Sequence, residues 1–227
     1  MQIINNWFNF ETPERVAQAV CDDILLQAEQ AISTRGRFKM VLAGGSSPAM
    51  LYQLLSQYKV DWSKWYIFYG DERCLPPDHP DRNSVMAQQA WLNHVDIPAN
   101  QIFTIAAELE PKSAAVQYQQ QITPFLPFDL VLLGMGEDGH TASLFPGHTH
   151  KAEEVVHVVT HSPKPPPERI SLSARTLSTT QRLIFMVTGA SKQSAVNQWQ
   201  AGEALPVTAI APEAGVEIYI DNAALDL

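Results

Sequence analysis

A histidine that follows a glycine-rich turn is the first candidate for chemistry in this sequence. The apolar run at 128 to 133 leads into residues 134 to 139, Gly-Met-Gly-Glu-Asp-Gly, and His140 comes next. An imidazole titrates near neutral pH and can take a proton from water, while a neighbouring carboxylate such as Asp138 can orient it. The pattern predicts His140 as a catalytic general base with Asp138 beside it. The alternative is a solvated or structural histidine.

The same turn formally matches the G-x-G-x-x-G pattern of dinucleotide-binding proteins. That pattern needs a long helix directly after its third glycine and an acidic residue about 20 positions further on. Here Pro146 stops any helix early, and Glu137 and Asp138 would place carboxylates against a pyrophosphate. We therefore expect no NAD cofactor, and we assign Gly136 and Gly139 to substrate binding.

A second glycine-rich segment joins a predicted strand to a predicted helix. Gly44 and Gly45 let the backbone approach a ligand closely, and the helix start that follows offers unpaired N–H groups. Ser46 and Ser47 add hydroxyl donors, so these four residues are candidates for substrate binding. The P-loop lysine is missing, which argues against a nucleoside triphosphate. The alternative is a serine-capped helix with no ligand.

Charged residues directly after a strand rich in aromatic residues form a third candidate. Arg73 can hold a phosphate or a carboxylate with its planar guanidinium, while Asp71 or Glu72 fixes its direction. We predict substrate binding for Asp71 and both binding and catalysis for Arg73. A surface salt bridge is the alternative.

Two later cations complete the set of candidates. Lys192 lies at a predicted strand-to-helix turn, where a helix N-terminus also attracts anions, and Arg169 follows a proline-rich loop. Lys192 is therefore predicted to bind an anionic substrate, although most lysines are simply surface residues.

Alternating strands and helices must position these segments. Apolar runs rich in Val, Ile, Leu and Phe alternate with amphipathic helices, which predicts an α/β fold: a mostly parallel sheet with helices on both faces. We expect one domain over residues 1–227, with the proline-rich residues 162–167 as a loop. Predicted strands cover residues 38–43, 65–69, 102–105, 128–133, 155–160, 170–173, 183–188, 207–210 and 216–220. Predicted helices cover residues 13–35, 84–94, 111–121 and 192–199, with another after Pro48. Ligands of such sheets bind at the carboxyl ends of the strands, where the loops at 44–48, 70–77 and 134–146 lie.

Composition narrows the classes of function. The chain has 227 residues, with 15 Lys and Arg against 24 Asp and Glu, a formal net charge of −9. Without a basic cluster, we expect no binding to nucleic acid or to membranes. Two cysteines, no HExxH and no CxxC predict no metal site. The N-terminus lacks signal-peptide features, so we expect a cytoplasmic protein. Monomer and homodimer both stay open.

Together the segments resemble the 6-phosphogluconolactonase family, within the glucosamine/galactosamine-6-phosphate isomerase superfamily. GxDGHTASLFP is the most specific motif, because the related deaminases have GHIAFNEP there. The segments that carry the resemblance are LAGGSSPAMLY (42–52), GDERCLPPDHPDRNS (70–84), FDLVLLGMGEDGHTASLFPG (128–147), KPPPERISLS (164–173) and FMVTGASK (185–192). Two departures are Ser47, where threonine is commoner, and Arg82, where serine is usual.

The resemblance implies hydrolysis of 6-phospho-D-glucono-1,5-lactone to 6-phosphogluconate, without metal or cofactor. It also implies a Rossmann-like fold of the glucosamine-6-phosphate-deaminase type. His140 would be the general base, with Arg73, Arg169 and Lys192 near the anionic substrate and residues 44–47 around it. Rival interpretations are an aminosugar-6-phosphate deaminase/isomerase and a non-catalytic sugar-phosphate sensor.

Overall fold

A seven-stranded parallel sheet forms the centre of the protein, as seen in a computed structural model that describes residues 5–149, 151 and 153–227. Every strand pairing within it is parallel. In spatial order the strands are β1 (Asn5–Phe10), β10 (Val216–Asp221), β9 (Leu183–Val187), β6 (Leu130–Gly134), β2 (Phe38–Leu42), β3 (Trp65–Tyr69) and β5 (Ile102–Phe103).

Helices cover this sheet and bury its inner strands. Every residue of β2 and of β9 is buried, as expected for parallel strands that are packed on both faces. The predicted α/β architecture is therefore confirmed. The helices are α1 (Pro13–Arg35), α2 (Ser46–Leu55), α3 (Asn83–Ala90), α4 (Pro111–Ile122), α5 (Ala174–Ser178), α6 (Gln193–Gln200) and α7 (Asn222–Leu225).

The first helix shows how local sequence sets the boundaries of an element. Thr12 caps α1 by accepting a hydrogen bond from the backbone of Arg15, and Pro13 occupies the first turn. Gly36 ends the helix with φ of 75°, a left-handed conformation that glycine adopts without strain. These boundaries agree with the predicted helix.

A second, three-stranded antiparallel sheet was not predicted. It pairs β4 (Asp71–Arg73) with β8 (Arg169–Leu172), and β8 with β7 (Val156–Val159). We had predicted residues 70–77 as a loop and had placed 170–173 in the main sheet. The small sheet therefore joins the turn after β3 directly to the end of the proline-rich loop.

One predicted strand is wrong. Residues 207–210 lie mostly in a short 3-10 helix, Pro206–Ala209, instead of a strand. Pro206 starts this turn, and the hydroxyl of Thr208 donates to the carbonyl of Leu205 while accepting from its amide. An apolar run this short does not distinguish a strand from a helical turn.

The strand β1 was missed, since its partner β10 lies at the opposite end of the sequence.

No helix in the described part of the chain is long and apolar enough to cross a membrane.

The order of the strands in the main sheet creates the place for a site. From β2 the chain continues to β3 and β5 on one side of the sheet, and then returns to place β6 on the other side of β2. Such a reversal opens a crevice between the loops that leave the two neighbouring strands.

Candidate active site

A cleft of about 210 Å³ opens at the carboxyl ends of β9, β6, β2 and β3. The predicted segments meet there because parallel strands end at the same edge of the sheet. The cleft is lined by Leu42, Ala43, Gly44, Gly45, Gly70, Asp71, Arg73, Asn83, Leu133, Gly134, Met135, Gly136, His140, Thr141, Ala142, Lys164, Arg169 and Lys192.

The imidazole of His140 is half-buried at the side of this cleft. Its Nδ1 lies 2.5 Å from Oδ1 of Asp138, and its ring packs against Phe145 with centroids 4.8 Å apart. The loop closes on itself because the amide of Gly136 donates to the carbonyl of His140 over 2.8 Å. In the described residues, no hydrogen-bond partner reaches Nε2 of His140, so this nitrogen is available to the cleft.

The electrostatics of the pair favour a neutral imidazole. Burial lowers the pKa of His140 below its usual value, and the neighbouring Asp138 offsets only part of this. Burial also opposes ionisation of Asp138, but the hydrogen bonds from His140 outweigh it and hold the pKa of Asp138 low. An ionised carboxylate only accepts, so Nδ1 carries the proton and Nε2 is left as a base.

The glycines of the loop make this arrangement sterically possible. A Cβ on Gly136 would overlap Nδ1 and Cε1 of His140, so only glycine fits beneath the imidazole. Gly139 has φ of 75°, and a Cβ there would lie 3.0 Å from Leu205. Gly136 lines the cleft, whereas Gly139 packs behind the loop, where its carbonyl accepts from the amide of Val207.

Asp71 reaches the cleft and is held by neutral donors. Its Oδ2 accepts from the hydroxyl of Ser143 at 2.6 Å, and its Oδ1 accepts from the amide of Asn83 at 3.0 Å. Arg169 is nearby, with Nη1 4.0 Å from Oδ2. These contacts join the turn after β3 to the loop after β6.

Glu72 does not orient Arg73 in the way we had predicted from the sequence. The buried carboxylate of Glu72 instead accepts from the backbone amides of Asn83 and Ser84 at the start of α3. The carboxylate of Asp71 likewise accepts from Ser143 and Asn83. The guanidinium of Arg73 donates from Nη1 to the carbonyl of Asp81 at 2.5 Å, which holds it at the cleft wall.

Three further cations line the cleft. Arg169 is buried and donates to the carbonyls of Lys164, Pro165 and Pro166, so it fixes the proline-rich loop. Lys164 extends from this loop and pairs with Glu137 at 2.9 Å. Burial lowers the pKa of Lys192, which lies in the turn just before α6. Together with Arg73 they place four cations around one cleft, on a chain of net charge −9.

The two predicted serines lie outside the cleft wall. Gly44 and Gly45 line the cleft, whereas Ser46 is exposed at the first position of α2. The hydroxyl of Ser47 pairs with that of Thr188 at 2.6 Å, which ties this helix start to the end of β9. The hydroxyl of Ser47 therefore stabilises the loop between β2 and α2 instead of lining the cleft.

Lys164 and Asn83 are among the cleft-lining residues that were missed as site residues. Both lie inside the segments that carry the family resemblance, but nothing in their local spacing marks them as functional.

Arg82 does not line the cleft. It is buried, donates to Glu108 at 2.8 Å and lies 3.4 Å from Glu72. The departure at position 82 therefore adds no group to the cleft.

Comparisons with known proteins identify the family of this chain. Residues 11–219 match the family described as glucosamine-6-phosphate isomerases/6-phosphogluconolactonase. The 6-phosphogluconolactonase of Nostoc is 40% identical over 186 residues, covering 78% of this chain and 77% of that protein. The 6-phosphogluconolactonase of Haemophilus influenzae is 30% identical over 98% of this chain and 99% of its own length.

Solved structures give the same result. The 6-phosphogluconolactonase of Trypanosoma brucei superposes with a TM-score of 0.90 at 29% identity, covering 99% of each chain. A monomeric glucosamine-6-phosphate deaminase superposes with a TM-score of 0.86 at 21% identity, which shows the shared fold alone. The resemblance seen in the sequence is confirmed, and this chain belongs to the glucosamine-6-phosphate isomerase/6-phosphogluconolactonase family.

Proposed function

We propose that this chain is a hydrolase that converts 6-phospho-D-glucono-1,5-lactone to 6-phospho-D-gluconate, in the oxidative branch of the pentose phosphate pathway. The observation that carries the proposal is an imidazole, paired with Asp138, at the side of a cleft with four cations. A base and an anion-binding wall in one cleft fit a phosphorylated ester. The relatives that match nearly the whole chain carry the name of this activity.

His140 acts as the general base in this mechanism. Nε2 takes a proton from water as its oxygen attacks the lactone carbonyl carbon, C1. Arg73 and the backbone amides of the glycine loops stabilise the negative charge that develops on the carbonyl oxygen. When the bond between C1 and the ring oxygen breaks, the imidazolium returns its proton to that oxygen. Asp138 stabilises the imidazolium between the two steps.

The substrate's phosphate binds to the remaining cations. Lys164, Arg169 and Lys192 line the cleft from two separate segments of the chain, and a dianionic phosphate suits their combined charge. Lys192 also precedes α6, so the positive end of that helix adds to the attraction. A cytoplasmic location and a monomeric or homodimeric state stay predictions from the sequence.

The rival activities have less support. An aminosugar-6-phosphate deaminase of the related type has Asn-Glu-Pro where this chain has Leu144-Phe145-Pro146. A sugar-phosphate sensor would not need a base paired with a carboxylate at the cleft. Release of ammonia from glucosamine 6-phosphate, or binding of the lactone without turnover, would favour these alternatives.

A pH-indicator assay on freshly made 6-phosphogluconolactone tests the proposal. We expect acid release well above the spontaneous rate, and the same rate after treatment with EDTA. Turnover that stops with EDTA and returns with added metal would contradict the proposed metal-free mechanism. Acid release at the spontaneous rate would contradict the lactonase function itself.

Asp138→Ala is expected to lower kcat by as much as about 10⁴-fold, because Asp138 fixes the tautomer of His140 and stabilises the imidazolium. The pH profile gives a second readout. Activity needs neutral His140, so kcat/KM of the wild type should fall only below the usual histidine pKa of about 6.5. Removing a carboxylate that raises the pKa of His140 should move this acidic limb to still lower pH. An acidic limb of the kcat/KM profile that moves to higher pH in Asp138→Ala would contradict the pairing of His140 with Asp138.

Lys192→Ala is expected to raise KM about tenfold for 6-phosphogluconolactone but to leave KM for unphosphorylated gluconolactone nearly unchanged. A cation at a helix N-terminus interacts with the phosphate, which the second substrate lacks. Lys112→Ala, at an exposed position in α4, serves as a control for the loss of one positive charge. Equal effects of Lys192→Ala on both substrates would contradict a role in phosphate binding.

A further inference from the structure

Asn83 is a buried amide at the cleft to which no role has been given so far. It is the first residue of α3, is 4% exposed and lines the cleft. Its Nδ2 donates to the backbone carbonyl of Asp71 and to Oδ1 of Asp71, each at 3.0 Å. These two oxygens of Asp71 act as acceptors, so the NH₂ group of Asn83 faces Asp71. The oxygen of the amide must therefore face the other way.

The other side of the amide faces Gly44, which also lines the cleft. A Cβ on Gly44 would overlap Oδ1 of Asn83, so the oxygen lies directly against the loop after β2. No donor from the described residues reaches this oxygen, and it is not among their fully buried polar atoms without a partner, so it keeps some access to solvent. Oδ1 is thus an acceptor that remains available between two cleft-lining segments.

The surrounding structure holds this oxygen in place. The carboxylate of Glu72 accepts from the backbone amides of Asn83 and Ser84, at 2.7 and 2.9 Å. Arg82 lies against the same carboxylate, with Nε 3.4 Å away. The start of α3 is therefore fixed by buried charges. An acceptor fixed in advance loses little entropy when it binds a ligand.

We propose that Oδ1 of Asn83 accepts a hydrogen bond from one ring hydroxyl of the substrate, which makes Asn83 a specificity-determining residue. This inference rests on the proposed lactonase function. The phosphate and the lactone carbonyl offer acceptor oxygens, which Oδ1 would repel. The hydroxyls at C2, C3 and C4 are the donors of the lactone ring, so the site selects a polyhydroxylated sugar.

Analogues of the substrate separate this role from a structural one. The experiment measures kcat/KM of the wild type and of Asn83→Ala on 6-phosphogluconolactone and on its 2-, 3- and 4-deoxy analogues. We expect the wild type to lose about tenfold on one analogue, because the buried acceptor then lacks its donor. Asn83→Ala should lose about tenfold on the parent lactone and show no further loss on that same analogue.

Controls keep the test interpretable. Asn93→Ala makes the same chemical change at an exposed position and should match the wild type on all four substrates. Thermal melting checks that each variant folds. Asn83→Ser replaces Asn83→Ala if the alanine variant does not fold, since serine keeps a polar group at the start of α3.

The possible results are distinct. Loss of discrimination on one analogue supports the proposal. A uniform loss by Asn83→Ala on the parent and all analogues overturns it, because Asn83 then only positions Asp71. A wild type that accepts all three deoxy analogues as well as the parent also overturns it. If the wild type does not hydrolyse the parent lactone, the proposed function fails and this inference fails with it.

Discussion

Replacing His140 with alanine is expected to lower kcat for the lactone by about 10²- to 10⁴-fold, the usual contribution of a positioned general base. Without the imidazole, water near C1 has no base in reach, while the cations of the cleft are unchanged. KM should therefore change much less than kcat. Steady-state kinetics with 6-phosphogluconolactone, corrected for spontaneous hydrolysis, measures this effect.

The fold should tolerate His140→Ala. The side chain is 18% exposed, and the backbone bond between Gly136 and position 140 does not depend on the imidazole. His94→Ala, at an exposed position in a 3-10 turn, is the matched control and should keep full activity. Activity of His140→Ala within threefold of the wild type, with an unchanged melting temperature, would exclude His140 as the base.

Gly136→Ala is expected to lower kcat about 10²-fold or more, although it adds only one methyl group. The new Cβ would overlap Nδ1 and Cε1 of His140 and would lie 2.8 Å from Oδ1 of Asp138. The imidazole must then move away from its carboxylate, and a misplacement of about 1 Å costs a catalytic group about 10²-fold. The double variant Gly136→Ala/His140→Ala should be no slower than His140→Ala alone, because both changes remove the same function.

Gly134→Ala provides the steric control for this loop. A Cβ at position 134 meets no protein atom within 4 Å, so the imidazole should stay in place and kcat should fall far less than in Gly136→Ala. Because Gly134 lines the cleft, any effect of its new methyl group should appear in KM. If Gly136→Ala matches Gly134→Ala in kcat, the geometry around His140 is wrong. If the double variant is much slower than His140→Ala, then Gly136→Ala disturbs more than the imidazole.

The part of the site that could be predicted from sequence is the part formed by neighbouring residues. His140 and Asp138 are two positions apart in a glycine turn, so chain connectivity alone brings them together. The predicted helix at 13–35 was correct for the same reason, since its cap and its terminating glycine are local signals. By contrast, the hypothesis that Glu72, as an alternative to Asp71, directs the guanidinium of Arg73 was wrong, because Glu72 accepts from the backbone amides of Arg73, Asn83 and Ser84, and the last two lie beyond an intervening loop.

The small antiparallel sheet shows the same limit. β4 consists of three charged residues, and no period-2 apolar pattern can mark so short a strand. It forms because β8, distant in sequence, supplies the hydrogen-bonding partners. That pairing is what brings Arg169 and the proline-rich loop with Lys164 to the cleft. Lys164 carries no local signal, since a lysine beside prolines is typical of an exposed loop.

The sequence by itself determined the parallel α/β sheet, the glycine loops at its carboxyl edge and the place of His140 beside acidic residues, while the structure identified Asp138 as its partner. These follow from apolar periodicity, from the conformational freedom of glycine and from short separations along the chain. Only the tertiary structure decided that Asn83, Lys164 and Arg169 share one cleft with them. Contacts between distant segments depend on strand order and packing, and no local pattern in the chain encodes them.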